Sequence, residues 1–212
     1  MKEKERILIV LVACFLCMST SAQKVINSPS RLHDGDLLFQ VSAESNAITT
    51  VSKGVSSQAI DHVGIFHWHE GRPMVIEANY AGVVDSPLEE FCHQCPKVLV
   101  GRVRGKFDID KSLANAHSLL GRPYDFVYMP YNAEIYCSEL VQQSYVYKDG
   151  TKVFSPVPMS FHGQDGLIMP YWADFYSRRL MEVPEGVPGS HPAGLSRSSQ
   201  VRIKYEWKGF VK

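Results

Sequence analysis

The sequence predicts an α+β domain in which an antiparallel sheet packs on helices, and three observations predict it. Short stretches of strand-like alternation cluster in the first half of the chain, at 36–41, 61–68, 74–79 and 98–104. Two of them flank a Glu70-Gly71 turn and so pair as a hairpin. Two stretches of helical spacing follow, at 110–120 and from residue 137 onward. Strands grouped beside helices in this way are the pattern of an α+β domain.

Taken in order, residues 1–22 read as a secretory leader rather than as part of the fold. Lys2, Lys4 and Arg6 precede an apolar run from Ile7 to Leu16, and Thr20-Ser21-Ala22 supplies small residues before a cleavage point at Gln23. Leu11-Val12-Ala13-Cys14 also resembles a lipoprotein processing box, but the apolar run continues past Cys14, which favours plain export to the periplasm or medium. Residues 23–212 then form a single domain, long enough for a hydrophobic core without disulfide staples. Asp36 to Val41 is the first strand, after an Asp34-Gly35 turn. Residues 42–60 are polar and Ser-rich and read as a mobile loop near the site. Asp61 to Trp68, Met74 to Asn79 and Val98 to Arg104 are strands. Asp110 to Leu120 is a helix with acidic residues at its start, stopped by Gly121-Arg122-Pro123. After Gly150 the chain is rich in Pro and Gly, with a short helix at Trp172 to Arg179 and a last strand at Val201 to Lys208.

Charge excludes some classes of partner. The 212 residues balance 22 basic against 22 acidic; the leader removes three basic and two acidic, leaving 19 and 20. A domain so near neutrality has no electrostatic footprint for nucleic acid or an anionic membrane surface. Small-molecule substrates of peptide-like or acyl character, with possible cell-envelope association, remain as partners.

The chemistry centres on Cys137. Leu140, Val141, Ser144 and Tyr145 follow it at helical spacing, so Cys137 stands on the first turn of a half-buried helix. Unpaired N–H groups and the positive end of the helix dipole favour thiolate there. The null alternative is a small buried hydrophobe. Export leaves three cysteines, Cys92, Cys95 and Cys137; pairing the two near neighbours leaves Cys137 free.

A nucleophilic thiol needs a base, and the base needs a carboxylate to orient it. An even-length hairpin loop at Glu70-Gly71 sets Gly64 opposite Glu77. Glu77 then becomes a diagonal, same-face neighbour of His62, roughly 7–8 Å away at the backbone. An odd loop would put Glu77 on the wrong face. Gly64 between the two leaves room for the imidazole. Cys137, His62 and Glu77 would serve as nucleophile, base and orienting carboxylate, with N–H groups at the helix start cradling an oxyanion.

Other clusters compete less well. His67 and His69 share a strand face and, with Cys92 and Cys95, offer metal-ligand chemistry, but a single CxxC without a second matched pair is weak. A local disulfide or free thiols is the better reading. His117 and His162 read as surface or core residues, and Met159, Phe161, Met169, Tyr171 and Trp172 as core packing in preference to a pocket wall.

Five stretches carry a family resemblance: Gly35-Asp36-Leu37-Leu38-Phe39, His62-Val63-Gly64-Ile65, Val75-Ile76-Glu77-Ala78, Gly121-Arg122-Pro123-Tyr124-Asp125 and Tyr136-Cys137-Ser138-Glu139-Leu140-Val141. Together they resemble the permuted NlpC/P60 papain-like hydrolases of the YiiX/YaeF-like group, in which the histidine strand precedes the nucleophile. The resemblance implies a circularly permuted papain-like fold with Cys137, His62 and Glu77 as its triad. It also implies that Tyr124 lines the site with its hydroxyl near the oxyanion. The expected activity is a cofactor-free, metal-free hydrolysis of amide bonds through a thioester, on cell-wall peptides or other small peptide-like amides. An acyl-ester hydrolase or acyltransferase on the same triad is the alternative, favoured by an apolar groove beside Cys137; a non-catalytic envelope binding module is the second. The Cys92-His93-Gln94-Cys95 insert departs from the pattern, and residues after 150 shape the substrate pocket.

Overall fold

Strand β2 (Asp36–Val41) is buried on both faces along its whole length, because it runs between two neighbours and under two layers of side chains. The computed structural model describes residues 23–130 and 132–210. Around β2 a seven-stranded sheet is built from β1 (Lys24–Ile26), β3 (Ile60–His69), β4 (Arg72–Asn79), β5 (Gly82–Pro87), β6 (Lys97–Val103) and β9 (Val201–Trp207), in the order β1-β9-β6-β2-β3-β4-β5. All neighbours are antiparallel except β1 and β9. Two short strands, β7 (Val157–Pro158) and β8 (Pro188–Gly189), pair separately. Among the described residues six α-helices accompany them: α1 (Ala47–Val51), α2 (Leu88–His93), α3 (Ile109–Ser118), α4 (Cys137–Ser144), α5 (Pro170–Ser177) and α6 (Pro192–Arg197).

The period-two alternation sorts side chains to two cores. Leu37, Phe39, Val63, Ile65, Ile76 and Ala78 pack on one side with Ala116 of α3, Leu140 and Val141 of α4 and Ala193 of α6. Leu38, Phe66, Val75, Val98 and Val100 pack on the other with Leu88, Phe91 and Cys92 of α2. A third cluster joins Met159, Phe161, Trp172 and Tyr176 to α1 through Ala47, Ile48 and Val51.

The β3–β4 turn spans two residues, with His69 opposite Arg72, and Glu70 (φ 49°) and Gly71 (φ 76°) both left-handed. That is the primed hairpin turn whose twist suits paired strands, and it gives the even register, with Gly64 opposite Glu77.

Several elements escaped the sequence. Residues 42–60, read as a loop, contain α1, closed at its start by a reciprocal cap between Asn46 and Thr49. Five residues are too few for helical periodicity to register. Asp61 anchors this segment, accepting from Ser42 Oγ and, at 2.6 Å, from Asn46 Nδ2. Strand β5 also went unread; it forms because a tight turn at Tyr80-Ala81, fastened by Ala81 N–H donating to Asn79 Oδ1 at 2.9 Å, folds it onto β4. Residues 1–22, where a secretory leader and the Cys14 processing box are expected, lie outside the described residues. Among the described residues no helix is long and apolar enough to cross a membrane.

Candidate active site

Cys137 opens α4, as its spacing predicted. Tyr136 is the extended residue before it (φ −99°, ψ 164°) and gives no side-chain cap to the first turn. The N–H groups of the first turn are therefore free of a side-chain cap. Leu140 and Val141 anchor α4 in the core beneath the sheet, and Cys137 itself is only 4% exposed.

The strands bring the expected partners. His62 Nε2 lies 2.7 Å from Glu77 Oε2, and the other Glu77 oxygen accepts from Ser86 Oγ of β5 at 2.7 Å. Glu77 is fully buried, so both its oxygens are occupied and its orientation is fixed. With Nε2 engaged, Nδ1 is the nitrogen left for Cys137, whose sulfur is near enough to raise the proton affinity of the imidazole. The ladder is bulged here: Gln40 faces His62 and Val41 faces Ile60, so Asp61 has no partner across β2. Such bulges re-aim neighbouring side chains.

One detail differs from expectation. Gly64 does not make room for the imidazole. A Cβ there would meet Val75 Cγ1 at 2.4 Å and Phe91 Cε2 at 3.0 Å, because Val75 and the α2 helix close over that spot. The glycine serves the site indirectly: it admits Phe91, whose ring lies 5.7 Å from the His62 ring and backs it.

Electrostatics fit a proton-holding imidazole. Burial alone would lower the His62 pKa, but hydrogen bonds to Cys137 and Glu77 and their negative charge outweigh it, raising it to about 10. For Glu77, burial pushes the pKa up; the bonds from His62 and Ser86 outweigh it and hold the carboxyl below its usual range.

Tyr124 is brought in by the loop after α3. Gly121 N–H donates to Val83 O at 2.9 Å and Val83 N–H to Arg122 O at 2.8 Å, docking the Gly121-Arg122-Pro123 turn on β5. Only glycine fits at 82, where φ is 98° and a Cβ would lie 2.4 Å from Arg122 O. Tyr124 then bridges to Ile135, and the buried Asp125 carboxylate accepts from Val127 N–H, Met129 N–H and Asn132 Nδ2 at 2.8, 2.8 and 3.1 Å, shaping the turn that presents Tyr128. Burial first, then the nearby Cys137 sulfur, raises the phenol pKa values of Tyr124 and Tyr128.

Beside Cys137 lies a cleft of about 540 Å³ including the solvent at its mouth. Ile48, Val51, Met159, Phe161 and Trp172 make its apolar wall, and no lysine or arginine lines it. Met159, Phe161 and Trp172, read from the sequence as packing, are thus both core and pocket wall. An outer groove carrying His62 continues from it past Tyr124 and Trp172, with Tyr80, Phe126 and Tyr171 along its sides. Residues after 150 supply much of the cleft lining, among them Met159, Phe161, Trp172 and Ser190.

The competing cluster separates. His67 Nε2 pairs with Asp85 Oδ1 at 2.8 Å, with the His117 and His69 rings 5.0 and 6.2 Å from it. Cys92 and Cys95 are free thiols; Cys92 sits in the second core, where burial raises its pKa to about 12. His162 pairs with Glu185 at 3.1 Å.

Sequence reasoning missed Ser86, Phe91, Asp125 and Tyr128 as supports of the site. Ser86 was findable: a two-residue turn at Tyr80-Ala81 sets Val84 opposite Glu77, which makes Ser86 the diagonal neighbour of Glu77. Phe91 and Tyr128 carry no local signal, since long-range packing alone brings them in.

Residues 31–168 match the family described as permuted papain-like amidase enzyme, YaeF/YiiX, C92 family. An uncharacterized protein of Escherichia coli (strain K12), YiiX, is 32% identical over 126 residues, 56% of this chain; the match spans 60% of that protein's length. A crystal structure described as metalloprotein yiiX from Escherichia coli O157:H7 superposes with a TM-score of 0.65 at 23% identity, covering 80% of this chain and 94% of that one. At that identity the likeness speaks for the fold.

Proposed function

Because this chain belongs to the permuted papain-like amidase family of YaeF and YiiX, we propose that Cys137 is its nucleophile, His62 its base and acid, and Glu77 the carboxylate that orients His62. The single observation that carries this reading is the 2.7 Å contact between half-buried His62 and fully buried Glu77, with Cys137 near enough to raise the proton affinity of the imidazole.

His62 takes the Cys137 proton on Nδ1, and Sγ attacks the acyl carbon. The oxyanion that forms is met by N–H groups of the first α4 turn and by the Tyr124 hydroxyl. As the tetrahedral species collapses, the C–N bond breaks and His62 hands its proton to the departing nitrogen, leaving a thioester on Cys137. Water then attacks, giving its proton to His62; the acid departs and the sulfur regains a proton. Acylation itself prepares the second role of His62. The interaction with the Cys137 sulfur and its negative charge raises the His62 pKa, and that support is lost once the sulfur bonds the acyl carbon, so burial makes the imidazolium a stronger acid as the tetrahedral species collapses and the amine needs a proton.

The acyl half of the substrate is apolar on this reading. A cell-wall peptide fragment presents carboxylates, and the cleft has no cation to meet them; the apolar wall favours a hydrocarbon-bearing acyl amide, and admits acyl esters by the same route. The leader at 1–22 would place this activity in the envelope or medium. The E. coli neighbour is described as a metalloprotein. Among the described residues no three His, Cys, Asp or Glu side chains are grouped to hold a metal ion, so the donors present do not fit one.

Incubation with N-acyl amides and with peptidoglycan peptides, read by mass spectrometry, tests the proposal. Acid release from the apolar amides, and a thioester adduct on Cys137, are expected. Product formation that persists in Cys137→Ala would remove the nucleophile assignment.

A further inference from the structure

The nucleophile and the base open on different cavities. Cys137 borders the apolar cleft, whereas His62 borders the outer groove of about 1560 Å³, solvent at its mouth included. Asp61, Tyr124, Tyr128 and Trp172 border both and mark the junction. This arrangement divides the substrate. The acyl carbon ends on the sulfur, so the acyl half takes the cleft. The leaving nitrogen receives its proton from the imidazole, so the amine half lies in the groove.

The groove has a chemistry of its own. Among the described residues no lysine or arginine lines it, and Asp61 is its one carboxylate. The partners of Asp61 are neutral: the Ser42 hydroxyl and the Asn46 amide both donate to Oδ2, and neither donates to Oδ1. Three aromatic rings of the groove stand exposed, Tyr80 at 88%, Phe126 at 46% and Tyr171 at 53%. Tyr80 stacks on Phe126 with 5.9 Å between ring centroids, and Tyr171 on Phe175 with 6.1 Å. Phe175 already holds a cation, since the Arg179 guanidinium carbon lies 3.7 Å from its centroid. Exposed apolar groups clustered in this way mark a ligand groove rather than a stabilising core. Aromatic faces beside an anion attract a cation, whereas an anionic ligand would meet Asp61 with nothing in the lining to offset the repulsion.

Resting on the amidase reading above, we infer that the amine half of the substrate carries a positive charge a few bonds from the scissile nitrogen, an alkylammonium group drawn by Asp61 and by the exposed faces of Tyr80 and Tyr171. The charge stands clear of the nitrogen itself. His62 is an imidazolium as it hands over its proton, and it repels a second cation close by. An amine with an aliphatic spacer between its two nitrogens meets both conditions, and its second nitrogen is protonated at neutral pH.

The test holds the acyl half constant and varies the amine. The probes are mono-N-octanoyl amides of diaminoalkanes of increasing spacer length, beside octanoyl amides of n-alkylamines, arylalkylamines and ω-amino acids of matching length. For the best ammonium amide, kcat/KM is expected to be about tenfold above its alkyl counterpart, with the advantage shrinking as salt is raised. The anionic amide should fall below the alkyl one, and the shortest diamine should be poor. Asp61→Asn is expected to bring the ratio of ammonium to alkyl amide to within about twofold. Tyr80→Leu, at the most exposed of the rings, puts little of the fold at risk and should lower the ratio about twofold. Asn46→Ala removes the same anchor of α1 but keeps the carboxylate, and should slow both amides alike. Hydrolysis at equal rates across the series, a preference for alkyl or arylalkyl amines, a ratio unmoved by Asp61→Asn, or an equal loss of the ratio in Asn46→Ala overturns the inference and leaves the amidase reading standing. If no amide is hydrolysed, the amidase reading falls, and calorimetric titration of the same probes decides: tighter binding of the ammonium amide sustains the groove's preference, while equal or absent binding overturns it.

Discussion

At the residue scale, His62 is the group whose behaviour can be predicted from its surroundings. Its proton affinity is raised by two partners against the opposing effect of burial. Alkylating Cys137 with iodoacetamide removes one partner as an acyl group would, so the His62 pKa should fall well below about 10, read by NMR titration of its ring. Glu77→Gln removes the other and should lower it too, with kcat/KM down about a hundredfold or more, since the tautomer loses its holder. An unmoved His62 titration in both cases would mean the contacts are not coupled. The His62–Glu77 pair was legible in the sequence because one even turn at Glu70-Gly71 decides which face Glu77 takes. Ser86 was not, because its strand is recognisable only after β4 is paired with it. Gly64 was misjudged because the space beside it is filled by Phe91, twenty-seven residues further on, which no local pattern reveals.

At the element scale, the site depends on turns that aim strands and loops. Gly82 is the clearest case: a Cβ would collide with Arg122 O at 2.4 Å, and the backbone there has φ 98°. Gly82→Ala should destabilise the fold by about 1–3 kcal/mol. It should also lower kcat/KM beyond that of the folded fraction, because the displaced turn carries Tyr124; urea melts and kinetics on the same sample separate the two effects. Asn46 closes the start of α1 and reaches Asp61. Asn46→Ala should cost about 1 kcal/mol and loosen the wall formed by Ile48 and Val51, seen as weaker binding of apolar amides. The strands of the hairpin and the helices at 110–120 and 137 were readable from periodicity. Helix α1, helix α6 and the pocket wall at 159–172 were not, because their sequences are short or Pro-rich and gain their form from packing against distant elements.

At the scale of the whole molecule, stability should follow the titration of the two coupled groups. His62 has a folded pKa above its unfolded one. Its contribution is therefore complete below about pH 6.5 and lost as pH rises through about 10. Glu77 is depressed, so its contribution is present above the ordinary carboxylate pKa and lost as pH falls through its folded value. Thermal melts should thus show a plateau with two shoulders, and Glu77→Gln should move the alkaline shoulder to lower pH. A flat melting temperature across that range would separate the site from global stability. The sheet order, the arrangement with histidine before cysteine, and the apolar cleft lined by residues beyond 150 make one assembly: the sheet carries His62 and Glu77, α4 carries Cys137, and the late segments line the cleft.

The most direct measurement is the mass of the protein quenched during turnover of an apolar N-acyl amide. The account predicts an adduct equal to the acyl group, mapped to the peptide containing Cys137, which accumulates at early times and is absent from His62→Ala. An acyl adduct on another residue, or turnover with no covalent intermediate and no dependence on Cys137, would contradict it.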